Sequence, residues 1–251
     1  MKDLFSASAK EYSLYRPDYP DELYSWLFQQ VNEFELAWDC GTGSGQVAKR
    51  LAEKFREVKA TDISQNQLDH AVELKNISYS KQPAENVDFP AISFDLITVA
   101  QAVHWFDFDG FYHEVKRTAK PMALLALMGY GLIEANSGNA YLDGHLGEVI
   151  EVFYSRLLGP YWDPERKYID AGYRTIPFPF EQMETPAFSI ERSWNLEELI
   201  GFFSSWSALK KFQIATGTDP LPELARSFQM IWGEQEYQSF RFPVILRVGR
   251  I

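Results

Sequence analysis

The chain has 251 residues, 46% hydrophobic and 16% aromatic, enough apolar material for one large domain or a domain carrying a sizeable insertion. Lys and Arg total 24 against 35 Asp and Glu, a formal net charge of -11; with no basic run to offset it, a nucleic-acid backbone or an anionic membrane is an unfavoured partner. Cys40 is the only cysteine, which excludes an intrachain disulfide and a cysteine-based zinc site.

The start, MKDLFSASAKEYSLYRPDYP, has no apolar core of signal-peptide length, and no run of about 18 apolar residues follows anywhere, so a soluble cytoplasmic protein is expected. YPDELYSWLFQQV (19–31) predicts a helix, with Leu23, Trp26 and Leu27 at helical spacing. FELAWDC (34–40) is a short apolar strand stopped by GTGSG. QVAKRLAEKF (46–55) resumes helical spacing, and EVKATDI (57–63) is a second strand. SQNQLDHAVEL (64–74) opens with a capping-box pattern, Ser64 with Gln67 three residues on. ISYSKQP (77–83) and FDLITVAQ (94–101) are two more strands, the latter nearly continuous in apolar residues, as a strand covered on both faces should be. FDGFYHEVKRTA (108–119) predicts a helix and ALLALMGY (123–130) a fifth strand.

Strands alternating with helices up to Tyr130 predict an α/β fold with a doubly wound, Rossmann-like sheet, whose ligand binds at the carboxyl edge of the strands. The pattern then changes. Residues 140–158 look helical, 159–180 are rich in Pro and aromatics with no clear period, and 184–195 are strand-like. Residues 196–212 and 221–232 are helical again, and YQSFRFPVILRVGRI (237–251) is a terminal strand. Three regions are expected: a lid helix and core over 1–130, an insertion covering the substrate over 131–183, and late strands completing the sheet over 184–251.

WDCGTGSGQ (38–46) is the most informative stretch. Gly41, Gly43 and Gly45 open a helix directly after a strand that ends at Asp39, so backbone can approach a ligand closely beside free helix N–H groups. The second strand ends at Asp62, where a carboxylate can accept both hydroxyls of a ribose. A dinucleotide fingerprint needs glycine at position 46, which is Gln46. The spacing favours a ligand without a pyrophosphate.

DCGTGSG (39–45), TDIS (61–64), QPAEN (82–86) and FDLITVAQAVHWF (94–106) together resemble the class I S-adenosylmethionine-dependent methyltransferases. The resemblance implies a seven-stranded sheet and S-adenosylmethionine as cofactor, with S-adenosylhomocysteine as product. It puts Gly41, Thr42, Gly43 and Gly45, after the acid Asp39, along the methionine part, and Asp62 on the ribose. Ile63 and Gln67 would flank the adenine, Ala84 and Glu85 would lie near its edge, and Ala100 and Gln101 would sit beneath the sulfonium. Relatives usually carry a glycine pair before the fifth strand; AKPMALLAL (119–127) does not, which implies a changed turn there rather than lost binding.

YRPDYP (15–20), AQAVHWFDFDGFYHEVKR (100–117), MGYG (128–131) and SSWSALKKF (204–212) resemble more closely a subgroup related to the trans-aconitate methyltransferases, within the methyltransferase type 11 family. This implies methyl transfer to a small-molecule acceptor, in some members a carboxylate. His104 is the candidate base or hydrogen-bonding partner beside the methyl position, or else a packed histidine. Trp105, Tyr130 and Trp206 are candidate acceptor-pocket walls, with a core role the alternative for both tryptophans. Arg16 is a candidate partner for the cofactor's methionine carboxylate or for an acidic substrate, with a surface arginine the alternative, and Tyr12 is a candidate for closing the lid. Arg174, Arg192, Lys210 and Lys211 are unranked carboxylate anchors. His70, His113 and His145 have no metal-ligand spacing, so no metal site is expected. A non-catalytic cofactor-binding protein, a nicotinamide oxidoreductase and a pure interaction module are the alternatives, and the oligomeric state is left open.

Overall fold

The computed structural model describes residues 17–251. Helix α1 (Asp21–Gln30) buries Leu23, Tyr24 and Leu27 on one stripe, each leucine contributing about 1.5–3 kcal/mol by leaving water. β1 (Leu36–Cys40), β2 (Glu57–Asp62), β3 (Ile77–Lys81) and β4 (Phe94–Ala100) pair in parallel. They are linked through α2 (Gln46–Ala52) and α3 (Gln65–Asp69). After β4 come a 3-10 turn (Val103–Trp105), α4 (Phe108–Thr118) and β5 (Ala119–Tyr130).

Alternation along the strands divides the core. Ala37, Leu96, Leu124 and Ala126 face one cluster with α1 and α2, while Trp38, Ile97, Leu125 and Leu127 face another with Phe111 and Val115 of α4. Six of the seven β4 residues are buried, which identifies it as a central strand covered on both faces. Trp38 is buried with its Nε1 donating to Thr61 Oγ1 at 2.9 Å, so this large apolar body enters the core with no orphaned polar atom.

The later chain adds β6 (Glu134–Ala135), α5 (Ala140–Glu151), α6 (Arg166–Asp170), β7 (Glu181–Gln182) and β8 (Ser189–Trp194). It ends with α7 (Leu196–Ser204), α8 (Ser207–Thr216), α9 (Leu221–Ile231) and the long β9 (Gln238–Arg250). The main strand order is β3-β2-β1-β4-β5-β9-β6, with β7 and β8 also paired to β9. Because β5 and β7 both pair with Gly249 and Arg250, and β6 and β8 both pair with Phe240 and Arg241, β9 has a strand on each edge near both of its ends. The expected late strands are β8 and β9. Two additional two-residue strands, β6 and β7, have no pattern of their own in the sequence.

Other departures are local. The helix expected over 64–74 ends at Asp69, and the one expected over 196–212 breaks at Ser205–Trp206 into α7 and α8. At the β5 entry the pairing with β4 shifts between Phe94 and Leu96, and Met122 takes a left-handed φ of 67°. A side chain here holds a conformation that glycine adopts without strain.

Candidate functional site

At the carboxyl edge of the sheet, one cavity opens between the ends of β1, β2 and β4 and the start of α1. Its walls include Asp39, Gly41, Thr42, Gly43, Asp62, Ile63, Gln67, Ala100, Gln101, Trp105 and Tyr130. Of the residues singled out by sequence, these eleven are brought together. Among the described residues, Pro17, Asp18, Tyr19, Tyr24, Ser44, Gln46, Val47, Ser64 and Ala102 complete the lining. Sequence reasoning missed these nine as site residues: Tyr24 lies on the apolar stripe of α1 and reads as core, while Ser64 reads only as the cap of α3.

The glycine turn is fastened from below. Gly41 and Thr42 both donate their N–H to the Thr61 carbonyl, at 2.8 and 2.9 Å. Asp39, 1% exposed, accepts from Thr42 Oγ1 at 2.6 Å and Thr98 Oγ1 at 2.8 Å. Burial pushes its carboxyl up to about 6, against those two hydrogen bonds and one from the Ala48 backbone.

Gly41 and Gly43 have φ values of 70° and 56°, but their surroundings differ. A Cβ on Gly41 would meet the Ala102 methyl at 2.6 Å, whereas one on Gly43 would meet nothing nearer among the described residues than Gln67 Oε1 at 4.0 Å. The turn is therefore closed toward β4 and open toward the cavity. Gly43 N–H donates to Asp62 Oδ2 at 2.9 Å, and Ser64 N–H to Asp62 Oδ1 at 2.9 Å. These bonds orient the carboxylate at the end of β2.

On the β4 side the strand ends in a left-handed residue, Gln101, at φ 51°. Its N–H donates to the Met128 carbonyl at 2.9 Å and its Nε2 to the Tyr130 carbonyl at 3.3 Å. Surrounding bonds thus hold a backbone conformation unfavourable for a side chain, a pattern concentrated at functional sites. Tyr19 approaches the Tyr130 ring at 6.3 Å, and Tyr24 has its hydroxyl pKa pushed up by burial and then by Asp39 and Asp18.

The candidate anchors Arg174, Arg192, Lys210 and Lys211 lie off this wall, as do five other singled-out residues. Gly45 starts α2 with its Cα against the Tyr79 hydroxyl. Ala84 is core, and Glu85 Oε1 accepts from the Asp107 N–H at 3.0 Å, just before α4. His104 is 5% exposed, with Nδ1 at 3.2 Å from the Tyr173 hydroxyl. Burial and then the charge of Arg166 lower its pKa to about 3. Trp206 is packed among Phe153, Tyr154, Trp162, Phe202 and Phe203 in the helical cover. Tyr12 and Arg16 lie outside the described residues. Among the described residues no His, Cys, Asp and Glu group could hold a metal ion, and no helix is long and apolar enough to cross a membrane.

The profile of the methyltransferase domain matches residues 38–127, from β1 into β5. A Dictyostelium discoideum protein provisionally named a methyltransferase is 38% identical over 99% of this chain and 95% of its own length. The chain belongs to the methyltransferase family, in its class I, S-adenosylmethionine-dependent branch. A solved Anaeromyxobacter dehalogenans structure, provisionally named a type II methyltransferase, is similar to it at 37% identity. Their TM-score is 0.84, with 94% of this chain and 97% of that one covered. A Mycobacterium tuberculosis protein named an uncharacterized methyltransferase is 30% identical over 72% of this chain and 67% of its own. S-adenosylmethionine is the methyl donor of this methyltransferase. The open face of Gly43 and the oriented Asp62 carboxylate are features of its own structure that fit such a group.

Proposed function

We propose that this methyltransferase holds S-adenosylmethionine in the β1–β2–β4 cavity and transfers its methyl group to a small-molecule acceptor. The pairing of Gly43 N–H with Asp62 carries the reading, since it puts the glycine turn and the β2 acid on one wall. Gly41, Thr42 and Gly43 would run along the methionine part, with Asp62 on the ribose hydroxyls and Ile63 and Gln67 beside the adenine. Ala100 and Gln101 form the floor, and Trp105 and Tyr130 bound the acceptor side. Gly45, Ala84 and Glu85 support this wall from behind: Gly45 starts α2, and Glu85 ties the loop after β3 to the approach to α4.

When bound, the cofactor supplies an electrophilic methyl on a sulfonium. The charged lining among the described residues is Asp18, Asp39 and Asp62, a negative wall that favours a cationic ligand. The protein's work is to align the acceptor with that methyl and to exclude water. Gln101 contributes by pinning the end of β4 to the end of β5. His104, with its pKa near 3, is too weakly basic to take a proton at neutral pH. We assign it a positioning role, holding Trp105 (ring centroids 4.9 Å apart) through its bond to Tyr173. Trp206 gives rigidity to the cover.

The setting of this reading is a cytoplasmic enzyme without nucleic-acid or membrane partners. It is tested by incubating the protein with S-adenosylmethionine and panels of small carboxylic acids, phenols and amines while following S-adenosylhomocysteine release. Acceptor-dependent release in at least one panel is expected. Tight cofactor binding with no turnover on any acceptor would instead mark a non-catalytic binding protein.

A further inference from the structure

Residues 159–176 lie over the turn that carries His104 and Trp105. Tyr168 packs edge-on against Phe108 at 5.4 Å, and Tyr173 reaches His104. At the head of α6, Arg166 is clamped in an unusual way. Its guanidinium carbon lies 5.1 Å from the Tyr154 ring centroid and 4.8 Å from that of Trp162. Its Nε donates to Tyr154 Oη at 2.8 Å and Asp170 Oδ1 at 3.2 Å. Every fixed contact therefore runs to the two rings or through the Nε edge. The two terminal nitrogens meet no acceptor among the described residues, although the side chain is only 20% exposed.

The clamp is built by the fold. Val152–Leu157 form a π-helical stretch continuing α5, a distortion that re-aims side chains and recurs at functional sites, and Tyr154 lies within it. Tyr154 and Trp162 pack on the first hydrophobic cluster, Ile169 and Tyr173 belong to the second, and Arg166 bridges the seam. His104 feels its charge, and the next residue, Trp105, lines the cavity. A guanidinium held beside two rings and by its Nε edge presents the remaining fork to a planar or tetrahedral oxyanion in a fixed orientation, with little side-chain entropy left to lose.

We propose that Arg166 is the specificity-determining anchor of the methyl acceptor. Its two terminal nitrogens would receive an oxyanion of the acceptor, a carboxylate or a phosphate monoester, while the reacting end lies toward Trp105. This rests on the methyl-transfer reading above. Tyr154 is the positioning residue that fixes the fork.

The test is calorimetric binding to the full chain loaded with S-adenosylhomocysteine, using matched carboxylic acids, phosphate monoesters and neutral amides. At least one anionic set is expected to bind and the amides not, and the set that binds identifies the oxyanion. Arg166→Met should weaken that binding by about tenfold or more, and Arg166→Lys by less, because the charge survives without the fork. Tyr154→Phe, which keeps the ring and removes the Nε acceptor, should weaken it severalfold. Affinity for S-adenosylhomocysteine should stay within about twofold in all three, since none lines the cofactor cavity. Equal anion affinity in wild type and Arg166→Met, binding of amides alone, or binding of none of the three sets overturns the anchor and leaves methyl transfer standing. Failure of the wild type to bind S-adenosylhomocysteine removes both.

Discussion

The imidazole of His104 and the hydroxyl of Tyr173 meet at 3.2 Å inside the protein, joining the turn after β4 to the segment that covers it. Burial, with the charge of Arg166, lowers the histidine's pKa to about 3 from an ordinary 6.5. The unfolded chain therefore takes up a proton below pH 6.5 that the folded chain refuses. His104 contributes stability that is complete above that pH and is lost as pH falls toward 3. Urea unfolding of wild type and His104→Gln between pH 7.5 and 4.5 should show the variant losing less stability, by about 1–3 kcal/mol. Parallel losses would mean that the histidine is protonated in the fold.

Asp39 has the opposite sign. Its folded pKa of about 6 lies above the ordinary 3.8 because of burial, so its ionisation costs stability as pH rises from about 4 to 6. Relative to wild type, Asp39→Asn should gain about 1–3 kcal/mol between pH 4.5 and 7.5, whatever its absolute stability. A difference that stays constant with pH would show that Asp39 ionises normally.

Two glycines separate binding from folding. Gly45→Ala drives a methyl into the Tyr79 hydroxyl at φ 83°, so it should lower unfolding stability by about 2–4 kcal/mol. Gly43→Ala meets open space and should cost only the left-handed penalty of about 1–2 kcal/mol, while S-adenosylhomocysteine affinity falls by about tenfold or more. Calorimetric titration and urea unfolding of both variants check this. Wild-type affinity in Gly43→Ala would mean that the ligand does not approach the turn.

Met122, exposed at 54% and left-handed at φ 67°, is a strained position away from the cavity. Met122→Gly should raise stability by about 0.5–1 kcal/mol, the relieved backbone strain exceeding the extra unfolded-state entropy. An unfolding curve shifted to lower urea would show that its side chain contributes more than its backbone costs.

The five main parallel strands were legible because each is an apolar or alternating stretch closed by a turn or helix signal, and the glycine turn because backbone geometry dictates residue type there. β6 and β7 were not, since their pairing is imposed by the long edge of β9 rather than by local pattern. Trp206 continues an apolar helical period through the break between α7 and α8, so the break left no trace. Position beside the cofactor strand made His104 a candidate base, but its burial depends on Tyr173 and Arg166, which reach it from an insertion without periodicity. Tyr24 was hidden for a related reason: an aromatic on a helix stripe has the same spacing whether it faces core or cavity.

The central claim is that Asp62 and the glycine turn form one cofactor-binding wall. Calorimetric titration of S-adenosylhomocysteine into wild type and Asp62→Ala tests it most directly, with thermal unfolding confirming that both are folded. The account predicts micromolar-range binding by wild type and a loss of about tenfold to a hundredfold in the variant, as charged hydrogen bonds to the ribose disappear. Unchanged affinity in a folded Asp62→Ala protein would contradict it.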